Sequence, residues 1–158
     1  PIERYLETET KALTFPIRAL VRIQPREEAV ATLFGVLERY EPLDHRSTQA
    51  KVALIDALGS LIDTTQAQSL LPYLDDHHDD VQASVIEVLE HLKPEGAAEG
   101  LTRVCGSRVH SSRVKRLSAK ALADLEVSVR GAYESFDPEL KDAWLLGKKG
   151  QLVARAHG

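Results

Sequence analysis

The residues best suited to chemistry in this chain stand together at Asp75-Asp76-His77-His78-Asp79-Asp80. Carboxylates and imidazoles hold zinc or manganese when they converge on one point. Six adjacent residues cannot all turn inward, and metal sites draw their ligands from separated elements. The expectation is therefore structural: Asp79 or Asp80 caps the following helix and favours its positive end, while the rest meets water. Neither a metal nor a cofactor is expected. No HExxH motif and no glycine-rich phosphate loop occurs. The lone Cys105 falls on the core side of its helix, where a thiol is inert packing. The chain reads as a non-enzyme.

Charge says more than the motifs do. From Asp75 to Glu99 there are eight carboxylates against the single Lys93. From Arg103 to Lys120 there are six basic residues and no acid. Neighbouring segments thus carry opposite sign, while the formal net charge of −4 argues against a surface made throughout for nucleic acid. One cysteine cannot form an internal disulfide, which fits a reducing, cytoplasmic setting. No apolar run reaches the ~18 residues of a membrane span.

The elements that must position these charges are helices, written three times in similar form. Ala50–Leu61 reads AKVALIDALGSL, Val81–Leu92 reads VQASVIEVLEHL, and Val114–Leu125 reads VKRLSAKALADL. Apolar residues recur at the first, ninth and twelfth places, one stripe of a 3.6-residue helix. Taken at Ala57-Leu58, Val88-Leu89 and Ala121-Leu122, the copies lie 31 and 33 residues apart, and a weaker one ends 38 residues earlier at Ala19-Leu20. Repetition at this period marks stacked helical hairpins. Between the copies the spacing predicts partner helices over Glu27–Tyr40, over Ala67–Leu74 with a bend at Pro72, and over Ala97–Cys105. Pro16 predicts a kink near Thr14, and Ser47 or Thr48 a helix cap. Asp137-Pro138 opens a closing helix carrying Leu140, Trp144 and Leu145. Residues 1–146 then form one domain, and 147–158 a frayed tail.

These copies resemble HEAT-like repeats of the short bacterial, phycobilisome-lyase type. In that pattern a first helix ends in Leu-x-Asp. A loop with Asp follows, then Val-Arg-x-x-Ala-x-x-Ala-Leu-Gly-x-Leu. Leu74-Asp75, Asp79-Asp80 and Val81-Gln82 match it in one copy, Ala50-Lys51 with Ala57-Leu58-Gly59 in another, and Val114-Lys115 with Ala121-Leu122 in a third. The chain departs from the pattern at Gln82, and only Gly59 keeps the glycine. The resemblance implies an all-α fold: an α-solenoid (armadillo-like superhelix) of about four antiparallel helix pairs with a C-terminal capping helix. It also implies a protein-binding scaffold rather than an enzyme.

In such folds the second helices line a concave face where partners bind. Their third, seventh and eleventh places, away from the apolar stripe, supply the candidate partner-binding residues: Arg18, Arg22, Glu87, His91, Arg116 and Lys120. The expectation is a groove with an acidic middle and basic ends, taking a protein partner of matching pattern. Two alternatives rank below it. One is nucleic-acid binding through 103–120, with serines as neutral phosphate donors but without aromatics for stacking. The other is an accessory domain of a larger enzyme, left open by the missing initiator Met. The oligomeric state is left open too.

Overall fold

An amphipathic stripe is stable only when it is covered, and here helices cover one another. The computed structural model describes residues 14–40 and 48–156. Over these it is mostly helical, with one small two-stranded sheet, so the all-α class holds. In chain order the helices are α1 (Thr14–Ile23), α2 (Arg26–Glu38), α3 (Thr48–Leu61), α4 (Thr64–Ala67), α5 (Asp79–Leu92), α6 (Ala97–Cys105), α7 (Ser112–Asp124) and α8 (Pro138–Ala143). Short 3-10 helices cover Gln68–Asp75 and Tyr133–Ser135.

The three sequence copies are α3, α5 and α7. They pack in a row: α3 against α5, α5 against α7, and α1 on α3. Each also packs on the element before it in the chain, α2 on α3, the 3-10 helix Gln68–Asp75 on α5, and α6 on α7. The apolar stripes meet in one continuous core, in which Leu33, Leu54, Leu58, Leu70 and Leu89 are fully buried. Each such side chain stabilises the fold by about 1.5–3 kcal/mol relative to exposure. Gly59 lets α3 and α5 approach closely, since a Cβ there would lie 2.7 Å from Val88 Cγ2.

The second place of each copy is polar yet buried, and this explains the acidic loop. Lys51 Nζ on α3 lies 2.8 Å from Asp76 Oδ2, and Lys115 Nζ on α7 lies 2.7 Å from Asp137 Oδ2. Between them, Gln82 on α5 donates instead to the Asp76 carbonyl. The loop after α6 offers no carboxylate. Its buried His110 places Nε2 2.8 Å from the Leu74 carbonyl and Nδ1 2.6 Å from Ser107 Oγ.

The capping expectation for the acidic loop needs correction. The residue before α5 is His78, without a side-chain cap. Asp76 does the local work: its Oδ1 accepts the His78 N–H at 3.1 Å while its other oxygen takes Lys51. Asp79 and Asp80 sit inside the first turn of α5, free to reach across to α7. Elsewhere side chains close the helix ends as their types dictate. Asp63 and Gln66 form a reciprocal capping box at α4, and Ser111 Oγ accepts the Val114 N–H. Pro72 lies within a 3-10 segment, where the partner helix was expected only to bend.

The closing segment differs from expectation. Asp137 does cap α8, with Pro138 at the first helical place. That helix stops at Ala143, and Trp144 and Leu145 belong to a strand, β1 (Trp144–Leu146). β1 pairs antiparallel with β2 (Leu152–Ala154), so residues expected to be a frayed tail form a hairpin. Gly150 makes its turn at φ 86°, a conformation that favours glycine. Leu152 is buried, β2 packs on α7, and the Val129 N–H donates to the Gly150 carbonyl at 2.8 Å. α1 begins at Thr14 with Pro16 in its first turn, and what precedes it in the expected kink lies outside the described residues; so does Ser47, while Thr48 is the first residue of α3.

Candidate partner-binding cleft

Side-by-side packing of α3, α5 and α7 leaves the face opposite their apolar stripes open as a cleft of about 850 Å³. α3 contributes Thr48, Gln49, Val52, Ala53 and Asp56; α5 contributes Asp80, Ala83, Ser84, Ile86, Glu87 and Glu90; α7 contributes Arg113, Leu117 and Lys120. A second hollow of about 480 Å³ adjoins it between α1 and α3, lined by Arg18, Val21, Arg22, Ala57 and Ser60. The two share Ala53 and Asp56. The seventh places of all four copies, Arg18, Asp56, Glu87 and Lys120, therefore lie along one continuous surface.

Of the residues expected there, Glu87 and Lys120 line the larger hollow and Arg18 and Arg22 the smaller. Arg116 and His91 line neither. Arg116 turns to α8, with its guanidinium 2.7 Å from Glu139 Oε1, and His91 is exposed beyond the rim. Sequence reasoning passed over Asp56, although it occupies the same seventh place as Glu87 and Lys120. It looked ordinary because one acid on a neutral column carries no signal until its neighbours are known.

The opposed charge blocks meet each other across the row. Arg103 grips Asp75 through two hydrogen bonds of 2.8 and 3.1 Å, and Arg113 lies 2.9 Å from Asp80. Ser111 donates to Asp79 at 2.6 Å. Lys120 lies 3.0 Å from Asp124 and 3.6 Å from Glu90. A hydrogen bond with Asp124 is the main reason the Glu90 carboxyl is held above its ordinary range, and the same bond helps hold Asp124 below its own. Of the six cations in 103–120, only Arg108 makes no ion pair among the described residues.

The centre of the cleft is different. Neither Glu87 nor Asp56 makes an ion pair among the described residues. Partial desolvation in the cleft raises the Asp56 carboxyl above its usual range, the Ser84 hydroxyl opposes that by hydrogen bonding, and the nearby Glu87 charge adds to it. Asp56 and Glu87 thus face the cleft beside Ser84, between walls from Val52, Ala53, Ala83 and Leu117.

Burial pushes the Cys105 thiol up to about 12, and its Sγ faces the Lys115 carbonyl. No group of three or more His, Cys, Asp or Glu among the described residues could hold a metal ion. No helix among them is long and apolar enough to cross a membrane. No family model matches the chain, and neither a curated protein nor a solved structure matches it significantly.

Proposed function

We propose that this chain is a non-catalytic protein-binding scaffold, an α-solenoid of HEAT-like repeats whose concave face is the cleft along α1, α3, α5 and α7. The observation that carries this reading is the run of seventh-place side chains, Arg18, Asp56, Glu87 and Lys120, along one surface of adjoining hollows. Rigid helices hold these groups at fixed separations, so a partner that fits them loses little freedom in the receiving surface. A cytoplasmic setting suits the single thiol of Cys105.

Nucleic-acid binding through 103–120 ranks below this. Five of its six cations already face carboxylates, and phosphates would have to displace those acids.

The test compares proteins retained from source-cell extract by the immobilised wild-type chain and by Glu87→Lys. Circular dichroism of both checks that helicity is unchanged. A partner held by the wild type and lost from the variant is the expected result. An identical retained set would overturn the cleft reading.

A further inference from the structure

Resting on that reading, we infer that the cleft takes a basic polypeptide segment of a partner protein, seating a lysine or arginine side chain between Asp56 and Glu87. Charge complementarity selects this occupant. At one end of the larger hollow Arg113 is satisfied by Asp80 and Lys120 by Glu90 and Asp124, so these groups add little net field. At the centre, neither Asp56 nor Glu87 is ion-paired with a cation among the described residues, and the Glu87 charge raises the cost of ionising Asp56. An incoming ammonium or guanidinium removes that repulsion, while an incoming carboxylate or phosphate would add to it.

The walls fit the same occupant. Val52, Ala83 and Leu117 give apolar surface on which the methylene stem of a long basic side chain can lie. Ser84 offers a hydroxyl beside Asp56. Beyond Asp56, the adjoining hollow turns basic through Arg18 and Arg22. The same segment therefore carries an acidic residue on the α1 side of its cation, which fixes the direction in which it lies across the row.

The experiment is a selection of random peptides displayed on phage against the full chain, with winning clones synthesised and titrated by fluorescence anisotropy. Winners should carry Lys or Arg and bind more tightly as salt is lowered. Their affinity should fall about tenfold or more for Asp56→Asn with Glu87→Gln, which keeps side-chain shape and alters only exposed groups. Arg18→Gln with Arg22→Gln should weaken only those winners that also carry an acid. Winners that need the cleft but lack a cationic residue would overturn this inference and leave the protein-binding reading standing. Winners indifferent to both pairs of substitutions, or none at all, would sink both. A duplex oligonucleotide whose binding strengthens on neutralising Asp56 and Glu87 would overturn it in favour of nucleic acid. Self-association abolished by the same substitutions would assign the cleft to a second copy.

Discussion

Lys51 Nζ lies 2.8 Å from Asp76 Oδ2, and neither side chain exposes any surface. Stripping water from two full charges is costly, so the pair persists only because the geometry also satisfies the rest of the Asp76 group. The His78 N–H supplies a bond to the other carboxylate oxygen, and the Gln82 amide holds the Asp76 backbone carbonyl. Asp76 therefore ties α3 to the start of α5 and shapes the loop between them.

Truncating Lys51→Ala should cost about 3–5 kcal/mol, because it strands a buried carboxylate. Lys51→Met combined with Asp76→Asn should lose less than the single change, since no charge is then left alone. Urea unfolding followed by circular dichroism measures both. A double variant at least as damaged as the single would contradict this account of the pair.

Acid should loosen the far end of the row through Asp137. Its carboxyl is held below the ordinary range first by the hydrogen bond from Lys115, then by the Glu139 N–H. A folded pKa below the unfolded value of 3.8 gives stability that is complete above that value and lost as pH falls through the folded one. Asp137→Asn should then be less stable than wild type at neutral pH, with the gap narrowing as pH falls below the unfolded value of 3.8. Thermal melts across that range are the measurement, and a gap that stays constant would count against it.

Gly59→Ala sets two effects against each other. Replacing a mid-helix glycine favours the helix by about 1 kcal/mol. Pressing a Cβ to 2.7 Å from Val88 Cγ2 opposes it, and Val88 is stiff at χ1 on α5. Overpacking of this kind costs about 1–3 kcal/mol, so a net loss is expected. The loss should shrink in a Val88→Ala background, which a double-mutant cycle reads directly.

Cys105 should resist thiol reagents in the native protein at pH 8 and react at the unfolding-limited rate. Its thiol is buried and pushed up to about 12, so almost no thiolate exists to attack. Rapid labelling in native buffer would show that α6 opens locally.

Cutting the chain after Gly147 removes β2 and with it the buried Leu152. Loss of that side chain alone should lower stability by about 1.5–3 kcal/mol, measured by denaturant unfolding. An unchanged midpoint would return these residues to the status of a loose tail.

The helices were legible because their apolar stripes repeat, and Asp137-Pro138 announces α8 as plainly as any helix start can. Lys51 was harder to read: a lysine flanking an apolar stripe looks solvent-facing until the carboxylate that buries it is found 25 residues on. The hairpin escaped notice because three-residue strands are too short to show alternation. Gly147-Lys148-Lys149-Gly150 reads as a loose end unless the pairing of Leu145 with Val153 is known. At the cleft, the seventh column was visible but its neighbours were not equivalent. Arg116, at the third place, is drawn off by Glu139 because α8 packs beside α7 there.

The hairpin also bears on how a chain like this one changes over generations. With β2 and α8 both resting on α7, a duplicated helix pair inserted directly after α7 would have to dislodge the Lys115–Asp137 bond and the seated Leu152. A duplication between α3 and α5 would face a similar obstacle at Lys51 and Asp76. Between α5 and α7 Gln82 makes no such buried charged link to the following loop, but an extra unit would have to part the exposed Arg103–Asp75 and Arg113–Asp80 pairs and the Ser111–Asp79 bond, so no joint of the row accepts a copied unit without breaking contacts.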